Sequence, residues 1–149
     1  MKFSCHVEID APRELAASIF AVPENKRHWH DDFVDHEQDQ GNPGTPGSVT
    51  KLNFKKFTLI ETVVSNSLPD EYTGEYLAEG ICWNTMANRF IDLGNNRTRY
   101  EVDIEYKFIG LIVKIMAKIM PGMFKNKFRK PSIDSNSTLS RRCERSEIG

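Results

Sequence analysis

The chain has 149 residues, enough to bury a sizeable core within a single domain. A hydrophobic content of 39%, with 10% aromatic residues, is typical of a globular protein and excludes an intrinsically disordered one. The formal net charge of −1 gives no general attraction to nucleic acid or to anionic membranes, so we expect no nucleic-acid partner.

The first residues, MKFSCHVEIDAP, lack the apolar core of a signal peptide, and no run of about 18 apolar residues could span a membrane. The three cysteines, Cys5, Cys82 and Cys143, are far apart and lack the spacing of metal ligands. We therefore expect free thiols, a reducing compartment and a cytoplasmic location.

Residues 2–9 alternate loosely between apolar and polar side chains, which predicts a half-buried strand. A helix follows, with Asp10 as a plausible N-cap and Pro23 as its end. The predicted apolar stripe of this helix consists of Leu15, Ile19 and Val22. Residues 23–29 can hold one further short helical turn.

From residue 33 to residue 107 the pattern is one of strands and turns. No helix-length segment separates the six predicted strands, which indicates an antiparallel meander. The clearest strand is 97–107, where apolar and charged side chains alternate as in a sheet with one buried face. The Gly/Pro-rich segment 41–48 predicts a loop, and Gly-Asn-Asn at 94–96 predicts a hairpin turn.

The chain after the last of these strands divides into two parts. Residues 109–130 have apolar side chains at helical spacing and a face of lysines, which predicts a long amphipathic helix with a break at Pro121-Gly122. Residues 131–149 are polar and predict a flexible tail. We therefore predict one domain over 1–130 and a separate C-terminal tail over 131–149.

This order of elements resembles the START / pollen-allergen-like superfamily, also called SRPBCC or polyketide cyclase-like proteins. The segments that carry the resemblance are VEIDAPRELAASIFAVPENKRHWHDDF, IETVVSNSLPDEYTGEY and NRFIDLGNNRTRYEVDIEYKFIG. The resemblance implies an α+β helix-grip fold: a curved antiparallel sheet of about seven strands around a long C-terminal helix, with two short helices after the first strand. The polar sequence after Pro131 departs from the family, whose last helix usually continues.

The resemblance also implies an apolar cavity between the sheet and the last helix. Members bind lipids, sterols, quinones or polyketides, and a minority catalyse cyclisation or dehydration. Inward tyrosines would give such a cavity apolar walls ending in hydroxyl groups. The predicted cavity residues are Trp29, Phe54, Ile60, Tyr72, Tyr76, Asn84, Met86, Asn88, Phe90, Tyr100, Val102, Ile104, Tyr106, Ile112, Ile115, Met116 and Ile119. The alternative is that these side chains simply fill the core.

The strand at 82–92 can be phased in two ways. One phase points Asn84, Met86, Asn88 and Phe90 inward, and the other points Trp83, Thr85, Ala87, Arg89 and Ile91 inward. A buried arginine needs a charged partner, which favours the first phase. In that phase the two asparagines are candidates to bind a ligand, or are polar groups satisfied by water.

The segment RHWHDDFVDH, residues 27–36, holds three of the four histidines. The ligands of a metal must converge, and His28, His30 and Asp32 could do so only if the chain bends here. We expect this segment to form a polar rim of the cavity with Trp29 packed inward, and we predict no metal site and no cofactor.

The primary hypothesis is a binder of a small hydrophobic ligand, without enzymatic activity. One alternative is a polyketide cyclase/dehydratase-like enzyme, which needs a polar pair in the cavity, such as an asparagine with a tyrosine or histidine, or an inward tyrosine with His6 or Glu61. The other is a protein-interaction module of the chaperone-activator type, with a filled core and an exposed apolar patch. The basic helix also permits contact with a membrane, although the fold needs its apolar face. Catalytic residues, ligand identity and oligomeric state stay open at this point.

Overall fold

The computed structural model describes residues 1–108 and 141–144, which form one eight-stranded antiparallel sheet and two short helices. The elements in chain order are β1 (Lys2–Ile9), α1 (Arg13–Ala21), a 3-10 helix (Pro23–His28), β2 (Phe33–Gln40), β3 (Val49–Phe54), β4 (Thr58–Ser67), β5 (Glu71–Ala78), β6 (Cys82–Gly94), β7 (Arg97–Phe108) and β8 (Arg141–Glu144). The α+β class and the curved antiparallel sheet of about seven strands are confirmed, and the short strand β8 is added at its edge. The predicted C-terminal helix, with Ile112, Ile115, Met116 and Ile119, lies outside the described residues.

The strand order is β2-β3-β4-β5-β6-β7-β1-β8. The six strands β2 to β7 form the predicted meander, and β1 closes its far side by pairing with β7. The turn between β6 and β7 holds Asn95 and Asn96 at φ values of 53° and 57°, a left-handed conformation that asparagine tolerates better than most residues. Within the described ranges, no helix is both long and apolar enough to cross a membrane.

The inner face of the sheet is the face against which α1 packs. Ala16 and Ala17 of the helix are buried against Phe90 of β6. Phe20 lies within 6.1 Å, centroid to centroid, of the rings of Tyr72, Phe90 and Tyr100. Aromatic contacts at this spacing add to the free energy of simple burial, so they fix α1 on the sheet.

The packing face of α1 differs from the predicted stripe. Leu15, Ile19 and Val22 are 50%, 43% and 43% exposed, so the prediction that they face the core is wrong. The helix lies close to the sheet through its two alanines, and small side chains permit that close approach. The larger apolar side chains consequently remain on the opposite side of the helix.

A β-bulge in β4 decides which of its residues face inward. Next to the turn, Asn66 pairs with Tyr72, whereas beyond the bulge Glu61 pairs with Tyr76 and Ile60 pairs with Leu77. The extra residue shifts the alternation by one position, so odd-numbered residues face inward in the rest of the strand. The prediction that Ile60 lines the cavity is therefore wrong: it lies on the outer face.

The short strand β8 pairs with β1 on the edge that β7 leaves open. Cys5 of β1 is disulfide-bonded, and the register places Cys143 of β8 directly opposite it. The expectation of a free thiol is thus wrong for Cys5. Since β8 falls within the range expected to be a flexible tail, while the rest of that range is outside the described residues, the domain boundary at 130 stays a prediction.

Candidate functional site

The side chains of β6 take the favoured phase. Asn84 pairs with Tyr106, Met86 with Ile104, Asn88 with Val102 and Phe90 with Tyr100, and all of these side chains share the inner face. Arg89 lies on the outer face, where its Nη2 is 2.6 Å from Oδ2 of Asp103. The guanidinium is thereby paired without being buried, which is the physical reason that this phase is preferred.

Polar side chains form a continuous line across the inner face, perpendicular to the strands. Each member is the cross-strand partner of the next, from β2 to β7. The members of this polar row are Gln38, Thr50, Glu61, Tyr76, Asn84 and Tyr106. Directly opposite residues of neighbouring strands have Cβ atoms about 5 Å apart, so each member can contact the next.

The neighbours of the polar row on the inner face are mostly apolar. On one side, successive cross-strand partners form a line that consists of Val63, Gly74, Met86, Ile104 and Phe3. On the other side lie Leu52, Leu59, Ala78 and Cys82. A band of polar groups between apolar walls is the composition of a pocket that orients an amphiphilic ligand.

Glu61 is the centre of the row. Its side chain is buried, with the residue only 5% exposed, and its Oε1 accepts hydrogen bonds from Tyr76 Oη at 2.6 Å and from Tyr72 Oη at 3.1 Å. On the other oxygen, Oε2 is 3.7 Å from Nζ of Lys26, which reaches in from the 3-10 helix. A buried acid is strongly destabilising unless it is paired, and these three groups pair it.

Gly74 provides the space in which the two tyrosines converge on Glu61. It lies between them on the inner face of β5, and a Cβ atom there would be 3.0 Å from Tyr76 Oη and 3.1 Å from two of its ring carbons. The Tyr76 ring therefore lies over the glycine. Any other residue at this position would force the ring away from the carboxyl group.

A second polar pair lies next to the row. Asn88 is 1% exposed, its Nδ2 donates to the main-chain oxygen of Tyr72 at 3.0 Å, and its Oδ1 accepts from Tyr100 Oη at 2.7 Å. Both ends of this amide are satisfied by protein groups. Asn88 is therefore a structural member of the inner face whose amide is paired at both ends by protein groups.

Asn84 differs from Asn88 in this respect. It is 7% exposed, and its Oδ1 is buried without a hydrogen-bond partner in the part of the chain that is described. Its cross-strand neighbours are Tyr76 and Tyr106. Buried polar atoms are nearly always paired in native proteins, so this one needs an explanation.

The tyrosines of the inner face are held in the neutral form. Burial, followed by the negative charge of Glu61 and its hydrogen bonds, raises the pKa of Tyr72 and Tyr76 far above the ordinary value of 10.0. Burial likewise raises the pKa of Tyr100 and of Tyr106. All four hydroxyl groups are therefore hydrogen-bond donors at physiological pH, and none is a phenolate.

The remaining predicted residues lie at the ends of this face. Phe54 is half-buried at the end of β3, in contact with the rings of Phe33, Phe57 and His30. Trp29 follows the 3-10 helix and is partly exposed, so its packing into a cavity stays a prediction.

The histidine-rich segment does not bring its three histidines together. His28 and Asp32 are exposed, His30 packs edge-on against Phe54 at 5.7 Å, and His36 Nε2 is 3.7 Å from Glu24 Oε1. No group of three His, Cys, Asp or Glu side chains in the described ranges could hold a metal ion. The segment forms a polar border around one end of the sheet.

The inward positions of Gln38 and Thr50 in the polar row, and of Lys26 beside it, are not predicted from the sequence. Glu61 is predicted only as one possible acid–base residue. His6, its alternative, pairs with Glu101 on the outer face and is far from the row. The alternation in β3, which puts Thr50 on the same side as Leu52 and Phe54, could have identified the threonine.

The strand order and the curved antiparallel sheet with two short helices after its first strand define the START-like fold. No family model matches the sequence, and no curated protein matches it. Similarity is found among solved structures, and at the identities observed it establishes the fold.

Three of these structures illustrate the similarity. A START superfamily protein from Mycobacterium smegmatis has a TM-score of 0.63 and 15% identity, over 88% of this chain and 97% of that one. A conserved protein from Geobacillus kaustophilus has a TM-score of 0.67 and 13% identity, over 87% and 90% of the two chains. An HSP90 activator from Plasmodium falciparum has a TM-score of 0.56 and 14% identity, over 85% and 92%.

Proposed function

We propose that this protein binds a small hydrophobic ligand against the inner face of its sheet, with the C-terminal segment 109–130 as the opposite wall. The observation that carries the proposal is the polar row. A core that only stabilises the fold would be apolar along this line, because burying Glu61 requires three partners. Polar groups placed between apolar walls are what a ligand pocket uses to orient its ligand.

The ligand belongs to the lipids, sterols, quinones or polyketide-like compounds. Tyr72 and Tyr76 present large apolar rings to it and bind Glu61 through their hydroxyl groups. Met86, in the line next to the polar row, adds a flexible wall that adapts to different ligand shapes.

Native mass spectrometry of protein purified from cells, followed by lipid extraction, tests this proposal. A bound small molecule that is released by organic solvent is expected, and added fatty acids, sterols or quinones should raise the melting temperature. Met86→Trp, which places a larger ring on the inner face, should reduce the bound fraction. Thr85→Trp is the matched control, because Thr85 is the adjacent residue on the outer face, between Glu75 and Glu105.

Failure would be unambiguous. Protein that carries no ligand after purification, and that shows no thermal shift with any of these compounds, contradicts the proposal. Equal loss of bound ligand in both tryptophan variants contradicts the placement of the ligand on the inner face.

A cyclase/dehydratase-like enzyme is a second candidate, and the cluster around Glu61 favours it. A buried carboxyl group beside two hydroxyl donors and a lysine is an arrangement that can accept a proton from one atom of a substrate and polarise another. The test compares the ligand extracted from the wild-type protein with that from Glu61→Gln. A wild-type ligand lighter by one water molecule indicates dehydration, and identical ligands indicate binding alone.

A protein-interaction module of the chaperone-activator type is a third candidate. Leu15 and Ile19 of α1 and Val22 directly after it are exposed, and this favours it, since clusters of exposed apolar side chains mark interaction surfaces. Stimulation of the ATPase rate of an HSP90 chaperone by this protein, lost in Ile19→Ser, would support this function. An unchanged rate with wild-type protein would exclude it.

A further inference from the structure

Asn84 identifies the kind of polar group that the ligand carries. Its Oδ1 is enclosed by protein atoms, and within the described ranges it accepts no hydrogen bond. Leaving a buried acceptor unpaired destabilises the folded protein, whereas an apolar side chain of similar size at the same place would not. The amide is consistent with a site that is completed by a group from outside the chain.

The position of Asn84 supports this interpretation. It continues the polar row directly from Tyr76, whose hydroxyl is already donated to Glu61. Asn88, four residues further along the same face, has both ends of its amide bonded to protein groups. The two asparagines therefore differ in whether the protein itself satisfies them.

The charges around the row indicate that the ligand's polar group is neutral. The cation that reaches the row from the described residues is Lys26, and Glu61 faces it at 3.7 Å, so its charge is already matched. The register places Lys51, Arg89 and Lys107 on the outer face. Among the described residues, an anionic head group would meet the buried carboxyl group of Glu61 without an unmatched cation to offset it.

We propose that the site takes a neutral amphiphile with a hydroxyl head group, and that this hydroxyl pairs with the Asn84 amide while the apolar body lies along the lines of residues beside the polar row. The inference rests on the proposed function and specifies its ligand class. A hydroxyl group suits the site because it donates and accepts. It therefore matches Asn84 whether the amide presents its oxygen or, after a half-turn about the Cβ–Cγ bond, its nitrogen.

Three probes of equal chain length test the proposal on the full chain: 1-dodecanol, its methyl ether and dodecanoate. Titration calorimetry on protein stripped of lipid is expected to show dodecanol binding about tenfold more tightly than either other probe, the usual effect of one buried hydrogen bond. The ether lacks the donor, and the carboxylate carries the charge that the row does not match.

Two variants locate the effect. Asn84→Leu should weaken dodecanol binding about tenfold, leave binding of the ether unchanged, and have a melting temperature no lower than that of the wild type. Asn84→Val repeats the test with a smaller side chain if the first variant does not fold. Thr85→Val, a change of the same kind on the outer face, should bind all three probes as the wild type does.

The outcomes separate the two proposals. If the three probes bind equally, if dodecanoate binds best, or if Asn84→Leu retains full affinity for dodecanol, the hydroxyl assignment is wrong and the ligand-binding function stands. If none of the probes binds and purified protein carries no lipid, both the hydroxyl assignment and the ligand-binding function are wrong.

Discussion

At the scale of single residues, Glu61 is the group on the inner face whose burial is most unfavourable. Its need for partners explains the position of the side chains around it. Two tyrosine hydroxyls converge on one of its oxygens, and Lys26 approaches the other. A hydrogen bond to a charged, buried group is worth more than one between neutral groups, so the two tyrosines contribute to stability as well as to the lining of the site.

The two tyrosines should not contribute equally. Tyr76→Phe removes a 2.6 Å bond, and Tyr72→Phe removes a longer bond of 3.1 Å to the same oxygen. We expect Tyr76→Phe to lower the free energy of unfolding by about 2–3 kcal/mol and Tyr72→Phe by about 1 kcal/mol. Urea unfolding followed by circular dichroism measures both values. A larger loss in Tyr72→Phe would mean that the cluster is not organised around the shorter bond.

The inward positions of the tyrosines and asparagines could be predicted from the sequence, because side chains alternate in β5 and β7 and the unfavourable burial of Arg89 selects the phase of β6. The pairing of Glu61 could not. Counting back from the turn between β4 and β5 places Ile60 inward, and only the bulge, which the sequence does not reveal, moves Glu61 opposite Tyr76. A one-residue shift exchanged an apolar wall residue for the central charged group.

At the scale of elements, the packing of β5 depends on a glycine in the middle of the strand. Gly74 lies between two inward tyrosines and accommodates the ring of Tyr76. Glycine inside a strand usually weakens it, and here it permits the close approach of an aromatic ring.

Filling this space should disturb the site. Gly74→Ala places a methyl group 3.0 Å from Tyr76 Oη, so the ring must shift by a few tenths of an ångström, which disturbs its short bond to Glu61. We expect a loss of about 1–3 kcal/mol in the free energy of unfolding, as in other overpacked cores. A double-mutant cycle with Tyr76→Leu provides the control: most of the loss should disappear when the ring is absent. Additive losses would show that the ring is not the cause.

The helix α1 is the element that the sequence predicted least well. Its existence and its end before Pro23 follow from the sequence, but its N-cap is Pro12 and not the predicted Asp10. Its packing face does not follow from the larger apolar residues either. Ala16 and Ala17 bring the backbone close to β6, and Phe20 fills the space between three rings of the sheet. How closely two elements approach is a property of the assembled core, and hydrophobicity along one helix does not encode it.

At the scale of the whole molecule, the four tyrosines of the chain share one electrostatic property. Each has a pKa raised above the ordinary value of 10.0, mainly because of burial. As pH rises past about 10, the unfolded chain loses phenolic protons and the folded chain keeps them. The stability that this difference provides is complete below pH 10 and is lost as pH rises toward the folded-state pKa values.

Two measurements test this property. The phenolate absorbance of the native protein should stay low through pH 10 and then rise together with the loss of circular dichroism. The urea-unfolded chain is the control and should titrate smoothly near pH 10. A native protein that forms phenolate near pH 10 with its fold intact would contradict the burial of these hydroxyl groups.

The disulfide of Cys5 ties the two ends of the described chain together. Closing so long a loop restricts the unfolded chain, so Cys5→Ser should lower the free energy of unfolding by about 2–4 kcal/mol under oxidising conditions. In the presence of a reductant, the variant and the wild type should have the same unfolding midpoint. A difference that persists in reductant would assign the effect to packing of the side chain.

At this scale the sequence predicted the class and the meander well, because turn residues and alternation are local. The link between β1 and β8 joins residues about 140 positions apart, and an odd number of cysteines gave no reason to expect it. Contacts of that range depend on where the chain ends meet in the folded state.

β8 also has a consequence for how the molecule meets copies of itself. β1 would be an edge of the sheet if β8 were not paired with it, and the main-chain groups from Ser4 to Val7 that point away from β7 would then have no partner strand. Open edges of this kind invite the strand of a second molecule and are a common origin of aggregation. The four-residue strand thus acts as a cap on the sheet, and a reducing agent that loosens it is expected to promote self-association through the first strand.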